Sequence, residues 1–287
     1  MIPFLFRIVI LVAVASAYAA YDLFNKRNVP DIFVYAVFIL ALAITFTYGI
    51  KTIAASLAVS GLIIAFGFLL YKKGVMGAGD FMEFATISML IPIQPAPLLS
   101  QIPQFGLPFI LSVLISTGYS AVIITTIYYL GKALLRGNLK ISNVSKAKVR
   151  QGTFLFFAYV ALLLVLSYLT GIRLAAVAII LTMGAASALA VAFEREINLQ
   201  MVSYVYPSSL SREDMIATNL MQKSDLKYFT SESEHFGRLV TGKMLKETKH
   251  IKKKLPVYTS GIPLAFFALM GIAISVLFGN LLIYFII

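Results

Sequence analysis

Two aspartates, Asp22 and Asp80, stand where apolar runs give way to polar chain. A bare carboxylate at the mouth of a membrane helix is expensive, and is usually functional. Asp80 lies in the stretch Gly74-Val75-Met76-Gly77-Ala78-Gly79-Asp80-Phe81-Met82-Glu83. Its glycines let the backbone turn tightly and approach a partner segment closely. Asp22 ends the first apolar run and Asp80 begins the fourth. Where two such helices are neighbours, the two carboxyls meet at one end of a bundle. Carboxyls that share a site do not both ionise easily; one keeps a proton and the pair titrates as a unit. The chemistry that suits such a pair is aspartic hydrolysis of a peptide bond. The ionised acid takes a proton from water while the protonated acid polarises the scissile carbonyl. Asp22 and Asp80 are therefore the candidate catalytic residues, with Gly77, Ala78 and Gly79 as the supporting loop.

Two other acids lie near membrane depth, Asp31 and Glu83. Asp31 follows Pro30 and opens a helix, which suits an N-cap better than a catalyst. Glu83 follows Asp80 by three residues. It either shares the Asp80 face of the helix or turns to the headgroups, and is a secondary site candidate. Asp80 itself has a non-catalytic reading as an N-cap; the glycine loop and the matching Asp22 favour chemistry. The chain has no Cys, and its two histidines, His235 and His250, lie in polar sequence. No metal site and no cofactor are expected.

The elements that must hold these acids are membrane helices. Of 287 residues, 60% are hydrophobic and 13% charged, well beyond the apolar share of soluble domains. Apolar runs at 3–21, 31–50, 52–71, 80–93, 108–131, 153–170, 174–193 and 262–286 predict an all-α, polytopic transmembrane bundle of about eight spans. In the third run, Ser56, Ser60, Gly61, Ala65 and Gly67 offer small surfaces for close packing. The domain reading is a membrane core with extra spans over 1–193, a basic helical subdomain over 194–260, and a final membrane helix over 261–287. Within the subdomain, Ser211-Arg212-Glu213-Asp214 and Ser231-Glu232-Ser233-Glu234 read as helix starts. Phe236, Leu239, Val240, Met244 and Leu245 would form the apolar face of a basic helix over 231–254, lying along anionic headgroups.

Alternate threading of the spans puts all Lys and Arg on one side except Arg7, Lys51 and Arg173. The positive-inside rule makes that side cytoplasmic, with both termini outside and with Asp22 and Asp80 at the cytoplasmic face. The net charge of +12 follows from this topology and from anionic lipid, so nucleic acid is not an expected partner.

Asp22 after the first span, Lys26-Arg27, Pro30 and Gly77-Ala78-Gly79-Asp80 before the fourth resemble, in order and spacing, the archaeal prepilin and preflagellin peptidases. These are GxGD-type membrane aspartic proteases, or class III signal peptidases. Gly261-Ile262-Pro263 and Phe278-Gly279-Asn280 resemble the last helix of that family. The resemblance covers residues 1–95 well, 260–287 moderately, and the middle only as hydrophobic spans; the family usually has six helices. It implies removal of a short basic leader from pilin-like or flagellin-like precursors, just before their apolar helix. Bacterial relatives also methylate the new N-terminus. The absence of Cys, and Met82 where those relatives tend to have Lys, argue against that second activity here. Two alternatives remain open from sequence. A presenilin-like intramembrane protease also pairs Tyr-Asp with GxGD, but its Pro-Ala-Leu signature is absent, Pro263-Leu264-Ala265 being only a scrambled echo. A transporter or assembly protein without proteolysis would use buried acids in a cation path.

Overall fold

The computed structural model describes residues 3–25, 29–73, 75–100, 106–137, 145–170, 174–212, 214–258 and 263–285. Lys26, Arg27, Gly74, Arg173, Glu213, Gly261 and Ile262, all used in the sequence reading, lie outside them. Every apolar run forms a helix: α1 (Phe4–Phe24), α2 (Asp31–Thr45), α3 (Ile50–Lys72), α4 (Ala78–Leu90), α5 (Phe109–Leu135), α6 (Lys146–Thr170), α7 (Leu174–Ala192) and, in numbering that allows for three helices in the polar segment, α11 (Leu264–Phe278). Five of these, α1, α3, α5, α6 and α7, are long and apolar enough to cross a membrane. Leu62, Phe66, Phe154 and Tyr168 expose large side chains, as lipid-facing helices do. The chain is thus an all-α, multi-pass helical membrane protein. The expected equal spans are not all present. α2 and α11 have 15 residues and α4 has 13, so α2 and α11 extend about 22 Å and α4 less, against about 30 Å of hydrocarbon. The last run is not one helix: α11 stops at Gly279, whose φ of 83° suits glycine, and a short 3-10 turn follows.

The chain divides into two compact units. One holds Met1–Thr125, Thr153–Ala188 and Pro263–Ile287; the other holds Thr126–Gly152 and Leu189–Ile262. In the first unit α4 packs between α2 and α3 and touches α1 and α11, while α1 packs along α11. Every residue of α4 from Glu83 through Leu90 is buried, the pattern of a helix that meets protein on every side. Its last carbonyls cannot turn to water inside a bilayer. Side chains satisfy them instead: Thr45 donates to Met89 O (3.1 Å), Tyr48 to Leu90 O (2.8 Å) and Ser56 to Ser88 O (3.1 Å). At the same end, Arg7 lies 3.6 Å above the Tyr48 ring and donates to Thr47 Oγ1. On α3 the small residues divide: Ser56, Ser60 and Gly67 are buried, whereas Gly61 and Ala65 are exposed.

The second unit adds a two-stranded sheet to the helices expected in the polar segment. It contains α8 (Glu194–Met201), β1 (Val202–Val205), α9 (Lys223–Glu232), α10 (Gly242–Thr248) and β2 (Leu255–Tyr258). β1 pairs antiparallel with β2, Val202 opposite Tyr258. No single helix spans 231–254. α9 ends at Glu232, Ser233 is extended, and Leu239 bridges to Met215. The apolar spacing marks core residues correctly, Val240 and Met244 being buried with Phe229, Leu255 and Val257, but of these two only Met244 is helical, in α10. Capping decides the difference. Ser231, the expected cap, lies within α9 and its hydroxyl donates to Tyr228 O at 2.7 Å, the Ser233 hydroxyl donates to Glu247, and Thr241 caps α10 by accepting from Met244 N–H. Ser211 likewise opens a turn, its N–H donating to Asp214 Oδ2 at 2.7 Å.

The Ser233 hydroxyl, and then His235, hold the Glu247 carboxyl below its ordinary value of 4.5. A lowered carboxyl stabilises the folded form above that ordinary value, and its contribution is lost as pH falls through the folded value. Amide protection over 233–248, corrected for intrinsic exchange, should therefore be level near neutral pH and decline below about 4.5. Ser233→Ala lets the folded value rise toward 4.5, so its decline should begin at the same pH but be smaller and end sooner; a superimposable profile would refute the linkage.

Candidate active site

Helix α4 starts at Gly77, the N-cap, so Ala78, Gly79 and Asp80 are its first three residues. Asp80 is thus at N3, not at the N-cap. Its Oδ2 accepts the Gly77 N–H at 3.0 Å, which is the returning half of a capping box. Gly77 has little room for a side chain, since an added Cβ would sit 3.0 Å from that oxygen. Gly79 packs beside Val29, 3.7 Å from where its own Cβ would be. The glycine loop therefore abuts the connection into α2. Gly67 of α3 lets α4 approach, because an added Cβ there would fall 2.3 Å from Phe81 Cβ.

Asp22 lies in the last turn of α1, 8% exposed. Its Oδ2 accepts the backbone N–H of Ala265, at the start of α11, at 3.0 Å. Four residues earlier on the same face, Tyr18 is fully buried and packs edge-on against Phe33, ring centroids 5.1 Å apart. Glu83 is 1% exposed. It turns into the bundle, settling the choice between the Asp80 face and the headgroups. Its carboxyl lies within electrostatic reach of Asp80, Asp22 and Tyr18. Three acids from two packed helices thus gather at one end of the first unit.

Asp31 is not part of this group. It is exposed at the first position of α2, and Pro30 is the N-cap. The Pro30 carbonyl already accepts the Val34 N–H, so the helix begins one residue earlier than an Asp31 cap requires. The sequence reading missed Tyr18 and Ala265. Tyr18 carried a signal in its spacing from Asp22. Ala265 carried none, because its contribution is a backbone amide. Among the described residues no cluster of three or more acids, histidines or cysteines is placed to hold a metal ion.

Comparison with known proteins gives one family. Residues 9–130, which cover most of α1 through most of α5, match the sequence model of the type IV leader peptidase family. Neither the curated proteins nor the solved structures give a match to the chain.

Proposed function

We propose, from the match of residues 9–130 to the type IV leader peptidase family, that the chain is a membrane aspartic endopeptidase with Asp22 and Asp80 as its catalytic pair. The observation that carries this reading is the meeting of α1 and α4 at the ends that bear these residues, with Glu83 in reach of both carboxyls. One aspartate, ionised, takes a proton from water, and the oxygen attacks the scissile carbonyl. The other, protonated, hydrogen-bonds the carbonyl oxygen as charge develops there. Collapse of the tetrahedral species breaks the C–N bond, and the proton taken from water passes to the leaving amine. Glu83 is a secondary member of the site.

The substrate proposed is a pilin-like or flagellin-like precursor with a short basic leader before an apolar helix. Such a chain sits with its leader in the cytoplasm, so its cleavable bond lies at the depth of Asp22 and Asp80. The charge distribution supports a cytoplasmic position for this face. Anionic lipid is the second partner proposed, through exposed Lys223, Lys227 and Lys252. Met82 packs in the apolar cluster of Tyr18 and Val34, which supports proteolysis without methyl transfer.

Vesicles of both orientations test function and orientation together. A precursor added to inverted vesicles should be shortened by its leader, with the new N-terminus at the start of the apolar helix. The same precursor outside right-side-out vesicles should stay intact. No shortening in either preparation would overturn the peptidase reading; cleavage only in the second would reverse the orientation.

A further inference from the structure

Helix α11 lies outside residues 9–130, yet its first turn reaches the proposed pair. Pro263 occupies its N-cap position and supplies no side-chain cap. The first amides of a helix have no carbonyl partner within it, and here the Phe267 N–H bonds to Pro263 O at 3.2 Å. The Ala265 N–H, in the turn before that, donates to Asp22 Oδ2 across 243 positions of sequence. The contact is enclosed, since Ala265 is 1% exposed and packs with Tyr18, Val34 and Val37. Asp80 is held in the same manner by the Gly77 N–H at the start of α4. Each aspartate of the pair therefore has one oxygen fixed by a backbone amide at a helix N-terminus, one from its own helix and one from α11.

We propose that the Ala265 backbone amide is a positioning group for the reaction, setting the rotation of the Asp22 carboxyl against Asp80. The inference rests on the peptidase reading of the pair. A carboxyl turns readily about its last torsion, and the rate depends on reacting groups held in a narrow range of geometry. A donor fixed by helix α11 removes that freedom, and the positive end of the helix favours the carboxylate. Any residue except proline supplies this N–H, so no residue type marks the function.

The test replaces the donor and not the side chain. Ala265→Pro removes the N–H, and proline is tolerated in a first helical turn because that N–H is not used inside the helix. Ala265→Val adds comparable bulk and keeps the donor. An ester at the 265 linkage, from an α-hydroxy acid introduced during cell-free synthesis, removes the N–H without adding bulk. With a pilin-type precursor, the proline and ester proteins should lose kcat by about 10- to 100-fold, the range for losing a hydrogen bond to a charged group. KM should change by less than about threefold, since the loss falls on the chemical step. Ala265→Val, which keeps the donor while crowding the same packing, should lose clearly less kcat than Ala265→Pro. An equal loss for valine and proline would show packing alone and overturn the proposal, as would wild-type kcat in the proline or ester protein. If the proline protein does not fold, the ester protein decides. Wild-type protein that leaves the precursor uncut would sink the catalytic pair itself, a result distinct from the others.

Discussion

Asp22→Asn and Asp80→Asn should each reduce precursor cleavage by about 10³-fold or more, while the protein remains in the membrane at its normal level. The structure makes asparagine a sharp probe at both positions. With asparagine in place of Asp22, the side-chain oxygen can still accept the Ala265 N–H. With asparagine in place of Asp80, it can still accept the Gly77 N–H, so both contacts that place these side chains survive. The ability to take a proton from water does not survive. For Asp80 the competing explanation is a purely structural acid in the first turn of α4. Losing its charge would then cost about 0.3–1 kcal/mol of helix stability, and most of the activity would remain. Abolition and mild loss are readily told apart by initial rates on solubilised protein matched for thermal stability. The pair acts as one unit, so the double variant should be no slower than either single one. Asp31→Asn, at an exposed helix start, should keep near-wild-type rates, and Glu83→Gln should fall between. Near-native cleavage by Asp22→Asn would end the pairing and make Glu83 the first alternative partner for Asp80.

The elements and the acids were readable from sequence for different reasons. Apolar runs long enough to meet hydrocarbon announce helices whatever they pack against, so all eight helical segments were visible, although the short α2, α4 and α11 were not visible as short. α4 ends early because Thr45, Tyr48 and Ser56 supply the hydroxyls its carbonyls need, and donors on other helices cannot be foreseen from the run itself. Asp22 and Asp80 stood out because charge is rare in such sequence. The orientation of Glu83 did not, since an acid in a first turn is equally at home against headgroups. In the polar segment, spacing found the buried residues Val240 and Met244 but put both on one long helix, whereas only Met244 is helical, in α10. A loop that crosses a core can bury the same residues, and only tertiary partners such as Met215 and Glu247 separate the two cases. The Ala265 amide lay beyond sequence altogether, being a contact between a side chain and backbone far apart in the chain.

Gly67→Ala should lower kcat/KM by about 10²-fold, because it displaces the helix that carries Asp80. The added Cβ would lie 2.3 Å from Phe81 Cβ and 2.5 Å from Phe81 Cγ, whereas carbon atoms in contact prefer about 3.5–4.0 Å. Rotating the phenylalanine ring gives no relief, since its Cβ is fixed to the backbone. The two helices must separate by about 1 Å to restore an ordinary contact. Phe81 directly follows Asp80, so the first turn of α4 moves with it, and the Asp80 carboxyl leaves the position it shares with Glu83 and Asp22. Overpacking of this kind also costs about 1–3 kcal/mol of stability, so the melting temperature of the solubilised protein should fall together with the rate. Gly61→Ala is the internal control. Both glycines lie on α3, but Gly61 is exposed and an added Cβ meets nothing within 4 Å. Alanine there should leave rate and melting unchanged or slightly improve the helix. The sequence alone treats the two positions as equivalent small residues, whereas the packing of α3 on α4 separates them. Equal rates for the two alanine proteins would mean that Gly67 does not face Phe81, and that α4 is held by some other surface.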